Sequence, residues 1–303
     1  MFDKKRLDSD TGMSFSEYRQ LPLRRDFPTW HFAMVNDQAR NAAIETAIAA
    51  LDLTGKTVFE IGAGTGLIAL LFAKYGARHV HTCESNRTLA AVAQSIVETS
   101  PHGNRITVLA GTSSEVIDWK QVPSQPDVIF TETVDCGIVG EGFFEIRRDI
   151  QRLAGPQTLV LPDEINQFAC LIASPQIRGL NYADTVCGFD LSALNMFSTR
   201  NYFPVRSALY DFAILTRPQI IRTYSYVGDC SPPSRTLTVE HDGIADGLLT
   251  WFNLEFAHIS VSNSLDVASH WHQAFHPLPQ PVPIKAGGSL DVSLSDAGIV
   301  RID

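Results

Sequence analysis

Apolar and amphipathic stretches alternate along the first half of the chain. Helical periodicity predicts helices at 67–75, 89–97 and 143–153. Short apolar runs rich in β-branched residues predict strands between and around them, at 57–61, 80–84, 106–110, 127–131 and 158–161. This alternation is typical of an α/β fold with a doubly wound parallel sheet, in which ligands bind at the carboxyl ends of the strands.

The helical signal fades after Pro162, and the second half reads as β-rich. Strand-like runs follow at 167–173, 208–215, 220–226, 236–240, 248–258 and 289–294. Residues 176–203 interrupt these runs with mixed apolar and polar content, so they form either an insertion with its own structure or a flexible loop. The pattern therefore predicts a second subdomain with a distinct architecture.

A glycine-rich turn, Gly62-Ala63-Gly64-Thr65-Gly66, lies between the first predicted strand and the next helix. Glycine allows a tight turn there and a close approach of a ligand to the backbone. The spacing departs from the dinucleotide pattern GxGxxG, whose last position falls on Leu67, and it favours a nucleoside ligand without a pyrophosphate. Glu84 ends the second predicted strand, the position from which a carboxylate accepts both ribose hydroxyls.

Composition narrows the functional class. The 303 residues are 45% apolar and carry a net charge of −9, which disfavours nucleic acid and favours cationic substrates. The first ten residues lack the apolar core of a signal peptide, and no apolar stretch approaches the ~20 residues of a membrane span, so we expect a cytoplasmic protein without membrane contact. Five cysteines without a CxxC pair indicate neither disulfides nor a metal site.

Two acids, Glu132 and Glu141, bracket the loop that leaves the fourth predicted strand. Glycines at 137, 140 and 142 let this loop fold back, so that the two carboxylates can converge. Facing carboxylates repel unless a delocalised cation lies between them. A guanidinium is such a cation, planar and with a fork of donors, and the alternative is a pair of solvated loop acids.

Four blocks, in order, resemble the protein arginine methyltransferase family over nearly the whole chain from about residue 15. They are the segment 31–41, the glycine turn with its flanks at 58–67, the loop 131–142 and Ser269-His270-Trp271, with Ser114-Glu115-Val116 between the second and third blocks. The resemblance implies S-adenosyl-L-methionine as cofactor. It further implies a Rossmann-like class I methyltransferase domain, followed by a β-barrel-like subdomain with a helical dimerisation arm.

The resemblance also assigns domains and residue roles. It implies a helical lid at 1–50, a cofactor domain at 51–162 and a substrate subdomain at 163–303, with the arm at about 176–203 making a homodimer. Glu132 and Glu141 would bind and polarise the arginine guanidinium, with Asp135 and Trp271 beside it, and a His270–Asp37 pair would take or relay the proton. The expected cofactor residues are His31, Met34, Arg40, Gly62, Gly64, Gly66, Glu84 and Glu115.

Departures from the family pattern bear on product and substrate. The loop 135–140 is closest to the monomethylating (type III) branch, and a longer spacer separates the aromatic motif at 14–18 from His31. We therefore expect ω-N-monomethylarginine as product. Free L-arginine is favoured as substrate, with Arg147 and Arg148 as candidate partners of its carboxylate. Arginine-rich peptides, another metabolite, and a non-catalytic adaptor role remain open alternatives.

Overall fold

The computed structural model describes residues 29–302 and divides them into two compact units. The first unit contains residues 29–133, Phe144–Asp163 and Glu255–Ser260, and the second contains Val134–Phe143, Glu164–Leu254 and 261–302. The division therefore differs from a single cut after residue 162, because the loop that carries Glu141 belongs to the second unit. The first part of the expected lid and the motif at 14–18 lie outside the described residues.

The first unit is built on a five-stranded parallel sheet in the order β3-β2-β1-β4-β5. Its strands are β1 (Thr57–Ile61), β2 (His79–Glu84), β3 (Ile106–Ala110), β4 (Val128–Thr131) and β5 (Leu159–Leu161). Its helices are α1 (His31–Val35), α2 (Gln38–Ala49), α3 (Leu67–Lys74), α4 (Arg87–Glu98), α5 (Ser113–Asp118) and α6 (Phe143–Leu153), whose first residue falls in the second unit. The order reverses at β1, so the carboxyl ends of β1, β2 and β4 meet at the switch point where α/β sheets bind ligands.

Local sequence explains where several of these helices begin. Asp37 and Asn86 each cap a helix, accepting from the backbone N–H three residues on, at 3.0 Å. Thr112 and Glu115 form a capping box at the start of α5. Phe72 packs edge-on against Phe130 beneath the sheet, with ring centroids 5.6 Å apart and both rings fully buried. The predicted α/β, Rossmann-like class is confirmed.

Antiparallel sheets form the second unit. The largest follows the order β10-β6-β13-β15-β9 with β11 also paired to β6, and β12-β16-β17 form a smaller one. The strands are β6 (Glu164–Ala173), β7 (Thr185–Val186), β8 (Phe189–Asp190), β9 (Phe203–Val205), β10 (Ala213–Ile214), β11 (Gln219–Tyr224), β12 (Ser234–Thr238), β13 (Gly243–Phe256), β14 (Ile259–Ser262), β15 (Gln273–Ile284), β16 (Ser289–Leu294) and β17 (Val300–Ile302).

One strand prediction in this unit was wrong, and several strands were not predicted, of which β15 is the longest. The segment 208–215 is mostly irregular, with a 3₁₀ turn at Ser207–Leu209 and only the two residues of β10 in a sheet. The twelve-residue strand β15 was missed, because prolines at 277, 279, 281 and 283 argue against a paired strand. The four prolines occupy alternate positions, and alternate N–H groups of a strand point to the same edge. The missing N–H groups therefore all lie on one edge of β15, and the hydrogen bonds to β13 form along the other edge.

The arm, residues 176–203, is less helical than expected. It contains the end of a one-turn helix α7 (Pro175–Arg178), the two-residue strands β7 and β8 paired as a hairpin, and a 3₁₀ turn at Ser192–Phe197. Its apolar side chains are exposed, with Phe189 at 70% and Met196 and Phe197 at 77%. Among the described residues, no helix combines the length and apolar character needed to cross a bilayer.

Candidate functional site

The glycine turn closes the carboxyl end of β1 and leads into α3. All three glycines have left-handed backbone angles, with φ of 89° at Gly62, 53° at Gly64 and 82° at Gly66. A Cβ on Gly62 would lie 2.5 Å from Thr133 Cγ2, so a side chain there has no space. The Gly62 and Ala63 N–H groups both donate to the Cys83 carbonyl at 2.9 and 2.8 Å, which ties the turn to the end of β2.

Glu84 is fixed beside this turn by the backbone. Its side chain is buried, Oε2 accepts from the Gly64 N–H at 3.0 Å, and Oε1 accepts from the Asn86 N–H at 2.9 Å. A carboxylate oxygen can accept two hydrogen bonds, so each oxygen retains capacity for one more donor. A ribose diol supplies two such donors, and the predicted role of Glu84 is compatible with its position.

The helices α1 and α2 bring His31, Met34 and Arg40 to the same region. A Cβ built on Gly64 would lie 3.6 Å from Met34 Cε and 4.0 Å from His31 Cδ2, so both side chains flank the turn. The His31 ring also stacks on Trp30, with centroids 3.9 Å apart. Met34 and His31 therefore lie beside the glycine turn, and the contacts of all three residues with the cofactor remain predictions.

Arg40 and Glu132 form a buried, bidentate ion pair. Arg40 Nε donates to Glu132 Oε1 at 2.8 Å, and Nη2 pairs with Oε2, while the two side chains are only 4% and 7% exposed. Burial lowers the pKa of Arg40 to about 10, against the opposing charges of Asp37 and Glu60. A carboxylate following β4 therefore already holds a guanidinium in a two-bond fork.

Glu60 is a further acid of this region that the sequence reasoning missed. It lies inside β1, is 1% exposed, and its Oε2 accepts from Thr82 Oγ1 at 2.5 Å. Its pKa is raised to about 8, chiefly by burial; the hydrogen bond from Thr82 opposes the rise, the nearby Glu84 adds to it, and Arg40 opposes it. An acid within the apolar run Val58-Phe59-Glu60-Ile61 was the signal available in the sequence, since an acid is rarely fully buried unless it is paired.

Glu115 has a structural task in addition to its expected one. Its Oε2 accepts from the Thr112 N–H at 2.8 Å as part of the capping box of α5. Glu115 lies in α5, which follows β3, and β3 is the neighbour in the sheet of β2, the strand that ends at Glu84. Its predicted contact with an adenine amino group remains a prediction.

The first-unit residues together fit S-adenosylmethionine. The buried cation Arg40 matches its carboxylate, the fixed acid Glu84 matches its ribose, and the acid Glu132 matches its positively charged groups. The three glycines of the turn allow a ligand to approach the backbone closely.

In the second unit, the loop 134–142 is anchored at several points. Trp271 Nε1 donates to the Val134 carbonyl at 3.0 Å. Asp135 caps the turn: its Oδ1 accepts from the Gly140 N–H at 3.0 Å, and its Oδ2 accepts from the Tyr202 hydroxyl at 2.8 Å. Glu141 follows directly and is exposed. Asp135 thus has the turn-capping role, and its contact with substrate remains a prediction.

His270 and Trp271 lie together in the second unit, with ring centroids 4.0 Å apart, and Trp271 meets Phe252 edge-on at 5.3 Å. Asp37 and Glu132 belong to the first unit, whereas His270 and Glu141 belong to the second. The His270–Asp37 pair and the convergence of Glu132 with Glu141 therefore stay predictions.

Comparisons with known proteins point to one family, although no family model matches the chain. The arginine N(omega)-methyltransferase of Streptomyces achromogenes subsp. streptozoticus is 35% identical over 277 residues, which cover 89% of this chain and 77% of that protein. Protein arginine N-methyltransferase 9 of Mus musculus is 26% identical over 82% of this chain, but this match spans only 34% of the mouse protein.

A solved structure reproduces the fold. The Trypanosoma brucei PRMT1 enzyme–prozyme heterotetrameric complex with AdoHcy matches with a TM-score of 0.73 at 22% identity, covering 88% of both chains. At this identity the likeness shows the fold alone. Given the extent and identity of the Streptomyces match, the chain belongs to the arginine N-methyltransferase family of S-adenosylmethionine-dependent enzymes.

Proposed function

We propose that this enzyme methylates the guanidino group of arginine to give ω-N-monomethylarginine, and that its substrate is free L-arginine in a biosynthetic pathway. The observation that carries the proposal is the Arg40–Glu132 fork, in which a buried carboxylate after β4 accepts two parallel hydrogen bonds from a guanidinium. Each Glu132 oxygen retains one acceptor site, so the same carboxylate can take a second guanidinium.

The chemistry follows from the acids and from the substrate. The cofactor supplies a sulfonium-bound, electrophilic methyl group. An arginine side chain has a pKa above ~12 and is a poor nucleophile until its charge is localised away from the attacking nitrogen. Glu132 and Glu141 localise it by pairing with the other nitrogens and hold the attacking nitrogen in line, which supplies the orientation that a displacement needs. A Glu or the His270–Asp37 pair takes the proton late.

The comparison with relatives favours the free amino acid. The Streptomyces relative is named for arginine itself, and it is more similar to this chain than the relative named for protein arginine, at 35% against 26% identity. Arg147 and Arg148 both stay candidates for the substrate carboxylate; Arg148 is exposed and pairs with Glu145 at 3.0 Å. Peptidyl arginine is the second candidate, supported by the mouse relative, whose match covers 82% of this chain.

A homodimer is part of this proposal. The arm carries Leu180, Phe189, Leu194, Met196 and Phe197 at 51–77% exposure, which is more apolar surface than a solvated segment of this length carries. A second copy of the chain covers these side chains without requiring another partner.

A competition experiment tests the proposal. Purified enzyme receives labelled S-adenosylmethionine with free arginine and an arginine-rich peptide in the same tube, and mass spectrometry follows both products over long incubations. We expect label on free arginine as the monomethyl form. Glu141→Gln should abolish most of this product, whereas a matched exposed control, Glu98→Gln, should not. Label only on the peptide overturns the free-arginine proposal, and a substantial dimethyl fraction overturns monomethylation.

A further inference from the structure

The ring of Tyr202 fills a slot that glycines leave open in the second unit. A Cβ on Gly137 would lie 2.3 Å from Tyr202 Cε2, and one on Gly140 would lie 2.6 Å from the Tyr202 hydroxyl. On the other side of the ring, a Cβ on Gly298 would lie 2.4 Å from Tyr202 Cδ1. The ring is therefore enclosed between the loop 134–142 and the turn before β17, and no side chain larger than hydrogen fits at these three positions.

The hydroxyl of Tyr202 completes a small hydrogen-bond network in that loop. It donates to Asp135 Oδ2 at 2.8 Å, while Asp135 Oδ1 accepts from the Gly140 N–H. Burial raises the pKa of Tyr202 above its ordinary range, and the neighbouring Asp135 raises it further, so the hydroxyl remains a donor. A hydrogen bond to a carboxylate is among the stronger ones in proteins.

The loop is held in a strained shape that needs such support. Ile138 is fully buried and has a φ of 75°, a left-handed conformation that a β-branched side chain rarely adopts. Backbone strain of this kind persists only where the surroundings over-determine it, and it concentrates at functional sites. Beyond Gly142, the loop ends at the buried Phe143, which packs on Tyr224 and Tyr226 with centroids 5.1 and 4.8 Å away.

Glu141 thus lies between two anchors, the Asp135–Gly140–Tyr202 network on one side and Phe143 on the other. We propose that Tyr202, the penultimate residue of the arm, is a positioning residue that holds the loop 134–142 in the conformation that presents Glu141 to the guanidinium. This rests on the proposed function of Glu141. Nothing in the sequence motifs indicates the role, because Tyr202 lies outside all of the family-like blocks.

Tyr202→Phe is the direct test, since it removes only the hydroxyl and keeps the ring in its slot. We expect kcat/KM for arginine to fall by about tenfold, as for the loss of a hydrogen bond to a charged group. Cofactor affinity, measured by calorimetry, should not change. Tyr210→Phe is the matched control, because its hydroxyl has no hydrogen-bond partner among the described residues.

Double variants separate positioning from general stability. If Tyr202 acts through Glu141, then Tyr202→Phe should add little to the loss already caused by Glu141→Gln, because the two changes are not independent. Gly137→Ala should reproduce the effect of Tyr202→Phe by displacing the ring instead of removing the hydroxyl. Additive losses in the double variant, or unchanged kcat/KM in Tyr202→Phe, would overturn the proposal.

Hydrogen exchange provides a readout that does not depend on activity. In Tyr202→Phe, amides of the loop 134–142 should exchange faster, while those of β1 and β2 keep wild-type rates. If wild-type enzyme does not methylate arginine, the proposed function fails, and faster loop exchange still supports the positioning role of Tyr202. Unchanged loop exchange overturns that role even in an active enzyme.

Discussion

Glu60→Gln should make the stability of the first unit less sensitive to pH. Glu60 lies in β1 and its side chain is fully buried. Its pKa is raised from an ordinary 4.5 to about 8, chiefly by burial. Between these two values the folded protein holds a proton that the unfolded chain has released, so the free energy of unfolding falls as pH rises through this window. Above about pH 8 both states are ionised and the loss is complete.

The magnitude follows from the size of the shift. At 1.36 kcal/mol per pH unit, a rise from 4.5 to about 8 amounts to about 5 kcal/mol as an upper bound. The amide that replaces the Glu60 carboxyl has no charge to bury and keeps an oxygen to accept from Thr82 Oγ1, whose bond to Glu60 measures 2.5 Å. The variant should therefore match the wild type near pH 5 and exceed it by a few kcal/mol near pH 8.5.

Urea unfolding at several pH values, followed by tryptophan fluorescence, measures this difference. Subtracting the two proteins cancels all titrating groups that they share. Glu98→Gln, on the exposed face of α4, is the control and should follow the wild type at every pH. A difference between Glu60→Gln and wild type that is constant with pH, or that grows towards low pH, would refute the reasoning.

Three further predictions concern binding and assembly. Glu84→Ala should weaken cofactor binding by about 2–4 kcal/mol, the value of two charge-assisted hydrogen bonds less their replacement by water, and unchanged affinity in calorimetry would remove Glu84 from the site. Glu132→Gln and Glu141→Gln should each lower turnover by ~100-fold. Only Glu132→Gln should also change cofactor affinity, because it breaks the buried ion pair with Arg40. Equal effects of the two variants on cofactor affinity would contradict this reasoning. Light scattering should find a dimer at micromolar concentration, whereas a monomer with and without cofactor would contradict the role proposed for the arm.

The sequence alone was sufficient for the parallel sheet, the glycine turn and the acids that follow the strands. Short apolar runs and helical periodicity are local signals, and a glycine turn has the same backbone requirement wherever it lies. The sequence also predicted the apolar arm between 176 and 203. It did not predict the hairpin and the 3₁₀ turn found there, because these have weaker local signals than a helix. The strand β15 was missed because four prolines contradict the usual local rule. In the structure the part of β15 that contains the prolines pairs with β13, and only Gln273–Phe275 also pair with β9 on the other edge.

Only the tertiary structure decided which polar groups share an environment. Arg40 and Glu132 are 92 residues apart, and Tyr202 and Asp135 are 67 apart, yet each pair forms hydrogen bonds shorter than 3 Å. The unusual state of Glu60 likewise depends on burial beside Glu84 and Arg40, contributed by other elements. Local patterns specify backbone conformation over a few residues, whereas desolvation and ion pairing depend on distances that only the folded chain establishes.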